Sequence, residues 1–440
     1  MQTIRGRKVG PVLATMLVAS NMVGSGIFLL PATLATVGSI TLLGWIAASG
    51  GALLLAAVLA KLGQVVPRSG GPCTYAAEGL GSYVGMQASV IYWIACWVGN
   101  MAIAVAGISY LASFFPSLAV PLNGAVATVV FIWILTLLNI FGPRLVCSVE
   151  SFSMIFGAIP LLATATLGWL YFDPDVFTSS WNVSGQPAIE VLPASLLLVF
   201  WAFIGLESAS IAAAAVENPS RNVPIATVAG VLLAALIYIA SCSVVMGLIP
   251  AEQLASSTAP FADAMRIVLG SSGGAMIGVM ALIKVTGTLA GWLLVTAHTA
   301  KAGAERGFFP SLFARVDSAG IPVANLLFMA GLMSVVVFAT MSPTLGKQFE
   351  TLIEVAVVLT LLMYVYACAS TWHYDRTIPG TGLARYKPIA AAAILFCVFV
   401  ISQMDANLLR IAAAIVILTV PLYFVVRRTN RQAVARTSTG

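Results

Sequence analysis

The sequence predicts an all-α polytopic membrane protein of twelve spanning helices, in which two five-helix repeats of opposite orientation precede two further helices. Three observations predict it. The chain of 440 residues is 60% hydrophobic and only 8% charged, with a mean hydropathy of +1.01, too little polar surface to cover a water-soluble globule. Apolar runs of at least about 18 residues read as membrane spans, and twelve occur. Two of those runs, about 180 residues apart, are each interrupted by a backbone break of the same character.

The spans lie near residues 9–37, 41–62, 83–112, 122–141, 147–172, 190–216, 223–249, 272–303, 321–341, 348–371, 387–404 and 407–427. The first follows a basic start, as a secretory leader would, but it is too long and eleven more follow, so it reads as a span of the mature chain. Its break is written Asn21-Met22-Val23-Gly24-Ser25-Gly26-Ile27-Phe28, and that of the sixth span Gly205-Leu206-Glu207-Ser208. In hydrocarbon an unwound backbone is tolerated only where it lines a cavity, because unpaired N–H and C=O groups cost several kcal/mol each. Matched breaks in two halves point to an inverted-repeat secondary transporter with its substrate site near the bilayer midplane. The expected units are a first repeat over 9–172, a second and inverted repeat over 190–371, and two additional helices over 387–427. An odd number of spans per repeat imposes the inversion. The longest links, near 173–189, 250–271 and 304–320, read as partial lids or lateral helices. In the last, Phe308, Phe309 and Phe313 beside Arg306 and Arg315 suggest an interfacial helix.

The net charge of +6 is topological. Alternate links that include the N-terminus carry Arg5, Arg7, Lys8, Lys61, Arg68, Arg144, Arg221, Lys301, Arg306, Arg315, Arg376, Arg385 and Lys387, and the C-terminal tail adds Arg427, Arg428, Arg431 and Arg436. The opposite links carry only Arg266, Lys347 and Arg410. The positive-inside rule then places both termini in the cytoplasm, and the basic balance requires no nucleic-acid partner. The six cysteines show neither a disulfide framework nor a metal spacing, and His298 and His373 are too few and too far apart for a metal site. No HExxH, Walker loop or nucleophile elbow occurs. Gly270-Ser271-Ser272-Gly273-Gly274 lacks the Lys-Ser/Thr of a phosphate loop and reads as the start of span eight. Neither a cofactor nor a metal is expected.

Candidate site residues gather at the breaks. Ser25 and Gly26 suit a carboxylate, since freed N–H groups attract anions and glycine admits close approach. Carbonyls near Val23, Trp201 and Ile204 can accept from an ammonium, and together these describe an α-amino acid head-group site. Glu207, a lone carboxylate inside the second break, is functional by default: it titrates, pairs with a cation, or accepts from a tyrosine. Trp201 and Trp292 sit mid-span rather than in the interfacial belt where Trp is enriched, and an indole face holds a desolvated cation with about 2 kcal/mol. Tyr92, Asn100 and Tyr364 are further mid-span polar groups. Lys284 in span eight and Glu354 in span ten lie in spans running in the same direction, at similar expected depth, and are expected to form an ion pair, either static or opened during transport.

The stretches Gly24-Ser25-Gly26-Ile27-Phe28-Leu29-Leu30-Pro31, Trp201-Ala202-Phe203-Ile204-Gly205-Leu206-Glu207-Ser208-Ala209 and Glu217-Asn218-Pro219-Ser220-Arg221-Asn222-Val223-Pro224 resemble the amino acid–polyamine–organocation (APC) superfamily. Within it the chain is most similar to bacterial basic amino acid/polyamine antiporters, especially arginine/agmatine antiporters, through Tyr92-Trp93-Ile94-Ala95-Cys96-Trp97-Val98-Gly99-Asn100. The resemblance implies a LeuT-type fold, a homodimer, a multi-pass place in the bacterial inner membrane, and exchange of a small cationic amino acid for its decarboxylated amine. It also implies that Asn21 lies beside the carboxylate site and that Ala95, Cys96 and Asn100 meet the side-chain end, which Trp292 stacks. Trp201 would form the proximal gate, and Tyr92, Glu207, Trp292 and Tyr364 the distal one. Ala356 and Ile103 stand where the arginine/agmatine pattern has serine and methionine, and Cys73 where it has a tyrosine. Ornithine/putrescine and lysine/cadaverine exchange, and proton-coupled uptake, are the alternatives, with a polytopic enzyme or sensor the remote one.

Overall fold

In the computed structural model the described residues are 10–437, apart from 25, 67–70, 142 and 212–215. They form a helical bundle: α1 (Pro11–Met22), α2 (Leu30–Ala35), α3 (Thr41–Val65), α4 (Gly71–Leu80), α5 (Ser82–Ala112), α6 (Pro121–Phe141), α7 (Pro143–Leu167), α8 (Pro174–Ser179), α9 (Ala188–Phe200), α10 (Ser208–Ile211), α11 (Pro219–Leu248), α12 (Ala251–Ala255), α13 (Pro260–Glu305), α14 (Val323–Ala339), α15 (Leu345–Thr377), α16 (Lys387–Ser402) and α17 (Ala406–Thr437). Nine helical segments among the described residues are long and apolar enough to cross a membrane, and shorter apolar helices stand where spans one, six and nine are expected.

Spans one and six are broken as their sequences require. The last helical bond of α1 runs from Val23 N–H to Ala19 O at 2.8 Å. A 3-10 turn over Gly26–Phe28 then leads into α2, whose first turn holds Pro31, a residue with no N–H to give. In span six α9 ends at Phe200, Trp201–Phe203 forms one 3-10 turn, and Ile204 is extended at φ −64°, ψ 132°. Gly205 follows at φ +108°, a conformation open to glycine and strained for other residues. A β-carbon on Gly205 would stand 3.4 Å from the Asn21 carbonyl carbon and oxygen. The two breaks therefore meet backbone to backbone.

α5 is enclosed almost throughout, between α15 on one flank and α13 on another, while α1 packs on α11 and α7 on α13. The periphery is apolar: Phe141, Leu236, Val335, Leu395 and Ile417 are all exposed, Phe141 by 83%, the surface of a bundle solvated by lipid rather than water. α16 and α17 are the least enclosed spans.

Three links depart from or refine the expectations. α4, ten residues long, fills the link between spans two and three, below the length at which hydropathy reveals a helix. The link before span eight contains α12 and a first part of α13, and Gly270, at φ 74° and ψ −178°, breaks that helix where the Gly-Ser-rich stretch begins the span. The expected interfacial helix near 304–320 is instead a single 3-10 turn, Ser311–Ala314. Phe308, Phe309 and Phe313 are buried, and Trp93 meets Phe309 edge-on at 5.7 Å and Phe313 at 6.2 Å. These rings close the bundle from inside, because a turn this short presents no continuous apolar face to a membrane surface.

Candidate functional site

Glu207 is fully buried at the second break and holds three parts of the bundle together. Tyr92 on α5 donates its hydroxyl to Oε1 at 2.8 Å, Tyr364 on α15 donates to Oε2 at 2.5 Å, and Gly205 N–H donates to Oε2 at 3.1 Å. A buried carboxylate is tolerated where donors replace its water, and charge-assisted bonds of this kind contribute about 1.5–3 kcal/mol each. The clamp links two intact helices to an unwound segment. It can hold a closed state, and it must loosen for α5, α15 and the break to separate.

Beside this clamp is a narrow cavity lined by Tyr92, Ala95, Cys96, Gly99, Asn100, Ile103, Trp201, Ile204, Trp292 and Thr360, with an open volume of about 20 Å³, room for about one water molecule. Tyr92, Ala95, Cys96, Asn100, Trp201, Ile204 and Trp292, all anticipated from sequence, converge here. Asn100 donates to Thr296 Oγ1 at 3.1 Å, and Thr296 in turn donates to the Trp292 carbonyl at 2.6 Å. That arrangement leaves Asn100 Oδ1 buried without a protein partner among the described residues, as is Trp201 Nε1. Buried polar atoms are nearly always paired, and both residues line the cavity, so this acceptor and this donor are available to a polar ligand once the cavity opens. The Ile204 carbonyl accepts no hydrogen bond among the described residues, whereas that of Trp201 already accepts from Ile204 N–H at 3.2 Å.

Sequence reasoning passed over Gly99 and Thr360. A β-carbon on Gly99 would lie 3.0 Å from Trp201 Cη2, so the glycine is what lets the indole rest against α5. Its place one residue before Asn100, inside the stretch that carries the family resemblance, is the signal that could have found it. Thr360 returns its hydroxyl to Ala356 O at 2.8 Å, an ordinary helical threonine with nothing in sequence to mark it.

Asn21, Val23 and Gly26 border the first break rather than the cavity itself, and Ser25 lies outside the described residues. The expected Lys284–Glu354 pair is not formed. The charged group bearing on Lys284 is Glu150 of α7, whereas Glu354 has Glu350, Lys347 and Asp405 as its charged neighbours. A similar expected depth does not fix direction around each helix: Lys284 faces α7 and the first break, while Glu354 has its charged neighbours on its own helix and at the start of α17. Lys284→Ala and Glu354→Ala are therefore expected to add in thermal unfolding, within about 0.5 kcal/mol. A larger coupling energy in the double-mutant cycle would restore the bridge.

Two broken helices meeting beside an aromatic, partly polar cavity, inside a bundle with a lipid-facing surface, define a multi-pass membrane transporter rather than an enzyme. The chain belongs to the amino acid permease family, whose model matches residues 9–426. It is 34% identical over 432 residues to the cadaverine/lysine antiporter of Escherichia coli (strain K12), covering 97% of this chain and 96% of the relative. It is also 36% identical over 366 residues to the putrescine transporter PotE of Haemophilus influenzae, covering 83% and 84%, and 34% identical over 370 residues to the putrescine transporter PotE of Escherichia coli (strain K12), covering 84% of each.

Proposed function

We propose that this permease exchanges a cationic amino acid for the amine formed by its decarboxylation, with lysine and cadaverine as the leading pair, by alternating access. The observation that carries the proposal is the convergence of Asn100, Trp201 and Trp292 on one cavity beside the Glu207 clamp, at the point where the two breaks touch. Relatives named for lysine, cadaverine and putrescine support a slender aliphatic cation. Arginine and agmatine, the pair suggested by resemblance, become competitors to be tested.

In this reading Ser25 and Gly26 hold the carboxylate, the Val23 and Ile204 carbonyls accept from the α-ammonium, and Asn21 flanks them. Ala95, Cys96 and Asn100 receive the distal chain, and Trp292 covers its ammonium. A cavity of this volume admits no six-carbon substrate until a lining side chain moves; following the family resemblance, Trp201 acts in this reading as the proximal gate and the Tyr92, Glu207, Trp292 and Tyr364 group as the distal one. The proposed architecture is twelve spans in a LeuT-type five-plus-five inverted repeat, with units at 9–172, 190–371 and 387–427, in a bacterial inner membrane, both termini cytoplasmic and the carrier a homodimer.

The experiment is uptake of radiolabelled lysine into proteoliposomes loaded with cadaverine, putrescine, agmatine or nothing. Exchange predicts uptake only against an internal partner, fastest with cadaverine. Uptake into empty vesicles driven by a proton gradient would replace exchange by symport, and preference for internal putrescine with labelled ornithine would change the pair. Trp292→Ala is expected to weaken binding of either cation by about 30-fold, the equivalent of about 2 kcal/mol of desolvated cation–π contact. Unchanged affinity in a direct binding measurement would remove Trp292 from the site.

A further inference from the structure

Among the described residues, the Glu207 clamp and the cavity leave one fully buried charge unused. Lys284 on α13 is 4% exposed, and among the described residues its ammonium makes neither a hydrogen bond nor an ion pair. An ionisable group at this depth without a partner is a functional-site signal. Its stem crosses α7 at Gly157, where a β-carbon would stand 2.3 Å from both Lys284 Cγ and Cδ, so only glycine leaves the path open. Glu150, the other charge on this α7–α13 seam, is placed against Gly291 instead, about two turns further along α13, where a β-carbon would lie 2.6 Å from its carboxylate.

The ammonium ends at the first break. A β-carbon on Gly24 would stand 3.0 Å from Lys284 Nζ and 2.6 Å from Thr288 Oγ1. Thr288 lies one turn beyond Lys284 on the same face of α13, is 5% exposed, and its hydroxyl is buried without a hydrogen-bond partner among the described residues. A fixed cation and a hydroxyl thus meet at one glycine of the unwound segment, and neither has an acceptor among the described residues. What is missing is an anionic acceptor with more than one oxygen to share, the chemistry of a carboxylate. Ammonium–carboxylate bonds are about twice as strong as neutral ones.

We propose that Lys284 and Thr288 complete the carboxylate end of the substrate site, making them specificity-determining residues that separate an α-amino acid from its decarboxylated amine. The inference rests on the exchange reading above, which puts both compounds in one site. The amino acid brings a carboxylate to the Gly24 side of the break and neutralises Lys284. The amine brings only positive charge, finds Lys284 unpaired, and is held less tightly. That asymmetry favours release of the amine once the site opens.

The test is direct binding to the purified full-length carrier in detergent, with lysine, lysine carboxamide and cadaverine as ligands, for wild type, Lys284→Met and Thr288→Val. Loss of a charged hydrogen bond corresponds to about 10- to 100-fold in affinity. Lys284→Met is expected to weaken lysine by about that factor, while cadaverine and the carboxamide bind as before or more tightly. Thr288→Val, nearly isosteric, should move lysine the same way by about threefold to tenfold, and it decides the matter if Lys284→Met fails to fold. Equal shifts for all three ligands, or none, overturn the proposal. Each measurement is repeated in chloride and in gluconate: chloride-dependent binding of all three ligands alike would assign the two donors to a free inorganic anion and overturn it as well. Wild-type protein that binds neither lysine nor cadaverine defeats the exchange reading itself, a result distinct from failed discrimination.

Discussion

Glu207→Ala is expected to reduce exchange in proteoliposomes to background, a loss of at least about a hundredfold, while the chain still inserts and purifies. The reasoning follows the three donors. Tyr92, Tyr364 and Gly205 N–H all end on this one carboxylate, and deletion strands them in a region without water, at about 1–3 kcal/mol for each unsatisfied group. A closed state held by the clamp then loses both its stability and its geometry, because α5, α15 and the break are no longer referred to a common point. Glu207→Gln separates shape from charge: it keeps an acceptor for one tyrosine but presents an amide N–H₂ to the other, where a hydroxyl donor already points. It should therefore fold better than the alanine variant and still exchange slowly. Wild-type exchange by Glu207→Ala would show that the clamp is not a gate, whatever its effect on stability.

How much of this was legible beforehand depended on what kind of property each residue carries. Gly24 to Phe28 and Gly205 to Ser208 were readable because a helix break in a membrane is a local property of the backbone. Trp201, Trp292, Tyr92 and Asn100, which line the cavity, and Tyr364, which donates to Glu207, were readable because polar and indole groups at mid-span depth are out of place unless they face a cavity or a buried partner. The Lys284–Glu354 pairing failed because depth is one coordinate and azimuth another, and an all-apolar span gives periodicity little contrast with which to fix the second. α4 was invisible because ten residues fall below the length of a spanning run. Phe308, Phe309 and Phe313 were assigned to the interface by composition, yet all three are buried, and Phe309 and Phe313 pack on Trp93, a residue more than 200 positions away. Gly99 was missed for the opposite reason: its role is the space it leaves for Trp201, and a sequence records side chains more plainly than room for them.

The second large effect is expected at Gly205, where alanine and then valine should progressively destabilise the carrier and stop transport. Its φ of +108° lies where a side chain costs about 1–3 kcal/mol, so Gly205→Ala bears mainly that strain. The alanine β-carbon would reach 3.4 Å from Asn21 C and O, an ordinary contact that a single methyl tolerates. Valine adds two branches to a β-carbon already touching the backbone of the other broken helix, and neither partner can give way by rotating a side chain. The two breaks must then separate or Gly205 must leave its left-handed conformation, and either movement withdraws the N–H that binds Glu207 Oε2. The expected order is Gly205 above Ala above Val, in thermal unfolding of the detergent-purified protein and in lysine exchange. Gly205→Ala with unaltered stability and full exchange would mean that the positive φ is not held through the transport cycle, and the clamp would then have to act through Tyr92 and Tyr364 alone.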